Sequence, residues 1–189
     1  MRNYLEFRMR DRFPTLKLLD GEITQSDPEA LDKVRLSGRF RLPKSYRDFA
    51  TQFGYGKLCS IVLIYIPMEG EDSLLVRRDT LREVFVDGLA ENLWEFDPDG
   101  SPALVKRLEP FGISENGHIF AWDPAEQTEA DEFAIYAVGS KLLAIRRAAD
   151  NLYDFVAGCL DDRVKTMLGS GYKPLPATFK PLKPYLGSE

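Results

Sequence analysis

The chain has 189 residues, of which 44% are hydrophobic and 29% are charged, as in a globular domain. Its 30 acidic residues outnumber the 25 Lys and Arg, and this balance argues against direct binding to nucleic acid, which depends on basic surfaces. The longest uncharged apolar run, residues 58–68, is too short to span a bilayer, and the first residues lack the apolar core of a secretory signal. We therefore expect a cytoplasmic protein without a membrane or nucleic-acid partner.

The first predicted elements are a helix and a buried strand. In residues 41–58 (RLPKSYRDFATQFGYGKL), Pro43 suits the first turn of a helix, and Gly54 supplies the left-handed residue that ends it. The apolar residues between them follow the spacing of one helical face: Tyr46, Phe49, Ala50 and Phe53. Residues 60–66 (SIVLIYI) are β-branched and apolar, which predicts a central strand that Pro67 closes.

A second helix and a loop are predicted next. Thr80 and Glu83 have the spacing of a capping box, so the helix is expected to start at Thr80. Its apolar stripe consists of Leu81, Val84, Phe85 and Leu89. Residues 95–102 (EFDPDGSP) are rich in turn-forming residues and predict a loop.

The second half of the chain predicts strands followed by a helix. The Asn116–Gly117 pair indicates a turn before a strand over about 118–122, which the Asp-Pro pair at 123–124 should break. Residues 133–138 and 141–147 indicate two further strands. A helix with apolar residues at i, i+3, i+4, i+7 and i+8 should follow Asp150.

Helices that flank a block of strands indicate a single α+β domain with a mostly antiparallel or mixed sheet. We expect this domain to span residues 1–168. The remaining residues, 169–189, carry four prolines and predict an extended strap or a C-terminal tail.

Three motifs, in this order and spacing, resemble those of the SUKH superfamily, which includes the Smi/Knr regulators of fungal glucan synthesis and many bacterial immunity proteins. The entry motif consists of Leu42, Pro43, Tyr46, Phe49 and the Gly54–Gly56 turn. The later motifs are an aromatic-ended strand, Gly117 to Trp122 and Asp123, and the start of a helix, Leu152 to Phe155. The resemblance covers about residues 40–160, a domain-sized span, and implies an α+β scaffold that binds proteins.

The sequence offers little for catalysis. Its single histidine, His118, follows the Asn-Gly turn, where we expect it on the surface of a turn or strand. Cys59 and Cys159 each lie in an apolar segment and should be buried free thiols, not a disulfide or a nucleophile paired with His118. Phosphate-loop, dinucleotide, CxxC and HExxH motifs are absent. We predict that the protein is not an enzyme and has no metal site and no cofactor.

Charge is distributed unevenly along the chain. Residues 83–140 contain 13 acids against only Lys106 and Arg107, and acids in turns and loops could form one negative surface. The predicted partner-binding residues are Glu91, Glu95, Asp97, Asp99, Asp123, Glu126, Glu129, Asp131 and Glu132. The alternative is that these acids lie in solvated loops and only keep the protein soluble.

These observations lead to two functional hypotheses. The first is a bacterial immunity protein that binds and neutralises a cognate toxin domain, for which a basic nuclease would match the acidic surface. The second is a regulatory or scaffold protein of the Smi/Knr type that binds an endogenous protein. In either case we expect a protein partner and a monomer or weak homodimer.

Overall fold

The computed structural model of the protein describes residues 12–186. Within this range the chain forms six α-helices and eleven β-strands. The helices are α1 Pro28–Lys33, α2 Lys44–Gln52, α3 Leu74–Ala90, α4 Pro102–Val105, α5 Leu152–Cys159 and α6 Val164–Leu168. The strands are β1 Lys17–Leu18, β2 Arg35–Leu36, β3 Phe40–Arg41, β4 Gly56–Leu58, β5 Val62–Ile64, β6 Glu95–Pro98, β7 Glu109–Ser114, β8 Ile119–Glu129, β9 Glu132–Val138, β10 Leu143–Ala149 and β11 Thr178–Pro181.

Nine strands form one sheet in the order β1-β11-β4-β5-β7-β8-β9-β10-β6, and β2 and β3 form a separate hairpin. Neighbouring strands are antiparallel except for the outermost pairs, β1 with β11 and β10 with β6, which are parallel. The predicted α+β fold with a mixed, mostly antiparallel sheet is therefore confirmed.

Helices cover both faces of the sheet, so its central strands are buried on both sides. In β8, Phe120 and Trp122 pack in the main cluster, which also holds residues of α1, α2, α5 and α6. The alternate residues, Ile119 and Ala121, pack in a second cluster with residues of α3 and α4. Because side chains alternate between the faces of a strand, burial on both sides requires an unbroken apolar run. This explains the run FAIYAV at 133–138 in β9.

Helix α2 confirms the first prediction. Tyr46 and Phe49 are fully buried, and the Tyr46 ring meets Trp122 edge to face at 4.9 Å between centroids. The Tyr46 hydroxyl donates to the Tyr65 carbonyl at 2.6 Å, which satisfies its buried polar end. Gly54 has a φ of +79°, and a Cβ there would lie 2.1 Å from the Thr24 carbonyl oxygen, so only glycine fits.

Two predicted boundaries differ from the structure by six residues or more. Helix α3 begins at Leu74 after the N-cap residue Ser73, six residues before Thr80, whose hydroxyl donates to the Val76 carbonyl within the helix. The predicted break at residues 123–124 is only a change of register in β8, which continues to Glu129 because β9 still pairs with it.

The segments predicted as a loop and a tail belong to the regular fold. Residues 95–102 contain edge strand β6 and the start of α4, where the Ser101 hydroxyl accepts from the Leu104 N–H at 3.1 Å. Strand β11 lies within the sheet between β1 and β4. Its Phe179 is fully buried against Phe49, at 5.7 Å between ring centroids, so burial of this aromatic residue holds the segment in the domain.

None of the helices in residues 12–186 combines the length and the apolar character needed to cross a membrane.

Candidate protein-binding surface

Glu132 belongs to the predicted acidic surface, but the structure places it in the interior. It begins β9 and is 4% exposed, and its carboxylate accepts from the Ser45 N–H and the Ser45 hydroxyl, both at 2.7 Å. Ser45 lies in the first turn of α2, whose N-cap residue Pro43 makes no side-chain cap. Burial raises the pKa of Glu132, and the two hydrogen bonds from Ser45 oppose that shift. Glu132 thus caps α2 from a neighbouring strand and is not available to a partner.

Asp123 is likewise an interior residue of a strand. It is completely buried, and its carboxylate accepts from Arg107 Nε at 2.7 Å and from the Ala125 N–H at 3.0 Å. The hydrogen bond to Asp123 raises the pKa of Arg107. The prediction that Asp123 and Glu132 lie on an exposed loop surface was wrong, because both lie in the central strands and are bound to internal donors.

Four other acids of the predicted surface are exposed or half-buried, and three of them have polar or charged partners. Glu126 forms an ion pair with Arg147 at 2.7 Å and accepts from the Tyr136 hydroxyl at 2.6 Å. Asp99 accepts from the Arg147 N–H at 2.9 Å. Asp131 lies 3.9 Å from Arg47 at the far end of the β8–β9 hairpin, where Glu129 is also exposed. These acids are divided between two places and do not form one free surface.

The remaining acids of the predicted surface, Glu91, Glu95 and Asp97, lie at the end of α3 and on β6. Glu83 and Asp87 of α3 precede them, and we call these five exposed acids the acidic ridge. Glu83, Asp87 and the C-cap residue Glu91 follow each other at intervals of four residues, so they share one side of α3. Among the described residues, no Lys or Arg nitrogen lies within 4 Å of their carboxylates; Arg82, which precedes Glu83, pairs with Glu109, and Arg147 pairs with Glu126 and Asp150.

The ridge opposes the local stability of α3. Acids four residues apart repel each other, and each such pair destabilises a helix by roughly 0.2–0.5 kcal/mol. Glu91 is the C-cap residue of α3, where the negative end of the helix dipole also disfavours an acid. The packing of Phe85 and Gly88 against the second cluster offsets this loss of helix stability. The Phe85 and Trp94 ring centroids lie 5.3 Å apart. The charges of the ridge therefore need an explanation other than stability.

Exposed apolar side chains lie beside the ridge. Val86, which directly precedes Asp87, is 63% exposed. Leu93, which follows shortly after Glu91, is 53% exposed. Protein interfaces combine apolar contact area with surrounding charges, so this mixture is typical of a docking surface.

The ridge also includes one open edge of the sheet. Within residues 12–186, strand β6 pairs only with β10, and its other side has no neighbouring strand there. Charged side chains and prolines on an edge strand disfavour pairing with another chain, and β6 carries Glu95, Asp97 and Pro98. The surface is thus suited to side-chain contacts and not to the addition of a strand.

His118 lies in the interior and not on the surface where it was predicted. It is 7% exposed; Nδ1 lies 3.2 Å from the Ser114 hydroxyl, and Nε2 lies 3.1 Å from the Leu168 carbonyl. Tyr172, from the C-terminal segment, covers the imidazole at 5.5 Å between ring centroids, which explains the burial. Burial lowers the pKa of His118. Ser114 is itself only 4% exposed, so these contacts join the β7–β8 turn to the C-terminal segment.

The cysteines are buried and free, as predicted. The neighbouring Cys59 thiol and burial together raise the pKa of the Cys159 thiol, which makes it a poor nucleophile. Within residues 12–186, no group of three or more His, Cys, Asp or Glu side chains is arranged to hold a metal ion.

Glu83 and Asp87 were not among the predicted partner-binding residues. The four-residue spacing of Glu83, Asp87 and Glu91 is visible in the sequence, but Glu83 was assigned to a capping box with Thr80. Only the start of α3 at Leu74 places Glu83 in the middle of an exposed helical face.

Comparison with protein-family models, with curated proteins and with solved structures found no match for the chain. The resemblance to the SUKH superfamily therefore rests on the sequence motifs alone and stays a prediction.

Proposed function

We propose that the protein is a non-enzymatic binding domain that docks a basic protein partner on the acidic ridge. The observation that carries this proposal is the row of five exposed acids from Glu83 to Asp97, which has no balancing base within 4 Å among the described residues. Such a row imposes a cost on α3, which contacts with a docked basic partner would offset.

Charge and apolar area have different roles in this surface. A negative ridge attracts a positive partner before contact and can raise the association rate by about 10- to 1000-fold at low salt. Val86 and Leu93 then supply apolar area for the bound complex. Binding of this kind is fast and sensitive to salt.

The sequence resemblance supports a more specific proposal about the partner. We propose that the protein is a bacterial immunity protein, and that its partner is a toxin domain whose basic face would otherwise bind nucleic acid. Covering such a face by the ridge would block the substrate of the toxin and neutralise it. The alternative, a Smi/Knr-type scaffold, predicts endogenous partners instead of a toxin.

Purification of the tagged protein from its native host, followed by mass spectrometry of the bound chains, tests the proposal. We expect one dominant basic chain that is toxic when produced alone and is silenced by co-production of this protein. Recovery of several endogenous proteins without a toxin would support the scaffold alternative. Recovery of only acidic or neutral chains would contradict the proposed ridge.

A matched pair of triple variants tests the ridge itself. Reversal of Glu83, Asp87 and Glu91 to Lys should slow association with the recovered partner about tenfold at low salt. The control reverses three exposed acids outside the ridge, Asp20, Glu22 and Glu71, with the same change of net charge. Equal slowing in both variants would mean that only net charge matters and would contradict docking on the ridge.

A further inference from the structure

A groove of about 750 Å³ lies between α1, residues 67–69 and the first half of α3. Its apolar wall includes Val34, Pro67, Met68 and Leu75. Three cationic residues, Lys33, Arg35 and Arg78, also line it. The volume falls within the range of about 300–1000 Å³ that is typical of small-molecule sites, and the combination of an apolar wall with a few polar groups is typical of them too.

Arg35 has unused hydrogen-bonding capacity, whereas Arg78 is partly paired. Arg35 donates from Nη1 to the carbonyls of Asp32 and Val34, at 2.5 and 2.8 Å. In the described part of the chain no carboxylate oxygen lies within 4 Å of Arg35, so its charge has no direct counter-ion there. Arg78 donates from Nη1 to the Arg35 carbonyl at 3.2 Å, and its buried Nε lies 3.5 Å from Asp79 and 3.8 Å from Glu109. A guanidinium group has five donors, so within residues 12–186 Nε and Nη2 of Arg35 and Nη2 of Arg78 are left for a ligand.

The carboxylates beside Arg78 are exposed or shared with other groups. Asp79 lies 3.5 Å from Arg78 Nε and is exposed. Glu109 lies 3.8 Å from the same atom, but it also pairs with Arg82 at 2.8 Å and accepts from the Ser37 N–H and hydroxyl. Of the two acids that line the groove, Asp27 caps α1 through the Glu29 N–H at 2.9 Å and Glu69 is exposed. Lys33 pairs with Glu29 at 3.8 Å, so Arg35 is the cation of this wall without a carboxylate within 4 Å among the described residues.

The start of α3 adds to the positive potential. Its N-cap residue Ser73 makes no side-chain cap, and Ser73 and Leu75 both line the groove. The Leu74 N–H of this 17-residue helix bonds to the Ile66 carbonyl at 2.9 Å, but the Leu75 N–H has no acceptor among the described residues. Its partial positive charge favours an anion near Arg35 and Arg78.

We propose that this groove is a binding site for a small organic anion. The carboxylate or phosphate head of the ligand contacts Arg35 and Arg78, and its apolar body lies against Val34, Met68 and Leu75. The site is separate from the acidic ridge, which occupies the other half of α3, and it does not depend on the proposed protein partner.

Titrations of the full chain, followed by ¹H–¹⁵N NMR, test the site with 2-naphthoate, 2-naphthyl phosphate and the cation 2-naphthylmethylammonium. We expect at least one of the two anions to shift the amide signals of Val34, Ser73 and Leu75, and the tighter anion identifies the head group. The cation should bind at least tenfold more weakly. Equal binding of the cation, or anion-induced shifts confined to other parts of the chain, would overturn the proposal.

Two pairs of variants locate the interaction. Arg35→Gln should weaken binding of the anion about tenfold, because a charge-assisted hydrogen bond is lost. Arg41→Gln is its control, since Arg41 is exposed and does not line the groove. Leu75→Asp should also abolish most binding, whereas Val84→Asp, at a similarly exposed position of the same helix outside the groove, should change it less than twofold. If Arg35→Gln and Leu75→Asp leave the affinity for the anion unchanged, or if the controls lower it equally, the groove is not the binding site.

Discussion

The hairpin of β8 and β9 and the ridge of α3 and β6 use the same kind of residue in opposite ways. In the hairpin, Asp123 and Glu132 are buried and each accepts hydrogen bonds from internal donors. On the ridge, Glu83, Asp87 and Glu91 are exposed and have no base within 4 Å among the described residues. The first group stabilises the fold, while the second leaves its charge free for a partner.

The difference teaches that position within an element decides what an acid does. Strands β8 and β9 are covered on both faces, so an acid there loses water and must find donors inside the protein. One long side of α3 faces outward, so an acid there keeps its hydration and interacts with other molecules through its field. A count of charges along the sequence cannot separate these cases.

The largest effect is expected for Glu132→Ala. This change removes two charge-assisted hydrogen bonds and leaves the buried Ser45 N–H without a partner, so the free energy of unfolding should fall by about 2–4 kcal/mol. Chemical denaturation of the variant measures it. A loss below about 0.5 kcal/mol is typical of exposed sites and would show that an acid in the hairpin stabilises the fold no more than one on the ridge.

A somewhat smaller loss is expected for Asp123→Asn. The neutral amide keeps the shape and one acceptor but loses the charge opposite Arg107, which is 43% exposed and remains solvated. We expect a decrease of about 1–3 kcal/mol in the free energy of unfolding. The control is Asp97→Asn, on the exposed ridge, which should be neutral; equal losses in the two variants would contradict the assignment.

A pH series sharpens the role of Glu132. The pKa of Glu132 in the folded protein is raised, so the folded state holds this proton more tightly than the unfolded chain does. The resulting stabilisation is fully present below the ordinary pKa of about 4.5 and is lost as pH rises through the folded pKa. The destabilisation by Glu132→Gln should thus be larger at pH 4.5 than at pH 7. A constant or opposite difference in denaturation experiments would show that burial does not control this carboxyl.

The smallest effect on stability is expected on the ridge. Reversal of Glu83, Asp87 and Glu91 to Lys should change the free energy of unfolding by no more than about 0.5 kcal/mol, because exposed substitutions rarely do more. Basic residues near the C-terminus of α3 also suit the helix dipole. Thermal denaturation checks this, and a loss above about 2 kcal/mol would mean that the ridge carries internal contacts after all.

Local sequence patterns predicted the helices and turns that are specified by residues close together in the sequence. Helix α2, the Asn116–Gly117 turn and the helix after Asp150 were all found, since apolar spacing and turn chemistry define them. The start of α3 was missed because Thr80 and Glu83 match a cap locally, whereas the Leu74 N–H bonds to the distant Ile66 carbonyl at 2.9 Å.

The interior acids and the C-terminal strand depend on contacts far along the chain. Glu132 is buried in contact with Ser45, and the sequence does not show that these two residues meet. The same holds for Phe179 of β11, whose partner strand β4 lies early in the chain. The candidate surface was therefore only partly predicted: Glu91, Glu95 and Asp97 belong to it, and Glu83 and Asp87 emerged from the structure.

The place of β11 in the sheet has a consequence for synthesis on the ribosome. Strand β4 pairs with β11 through Leu58 and Phe179, which lie about 120 residues apart, and contacts of such long range form slowly. The ribosome makes the chain from its N-terminus, so β4 can pair with β5 early. The other edge of β4 stays open until residues 178–181 leave the exit tunnel. A nascent sheet with an open edge is prone to wrong pairing. The insertion of β11 therefore makes closure of this side of the sheet a late step, completed only after the acidic ridge has already been made.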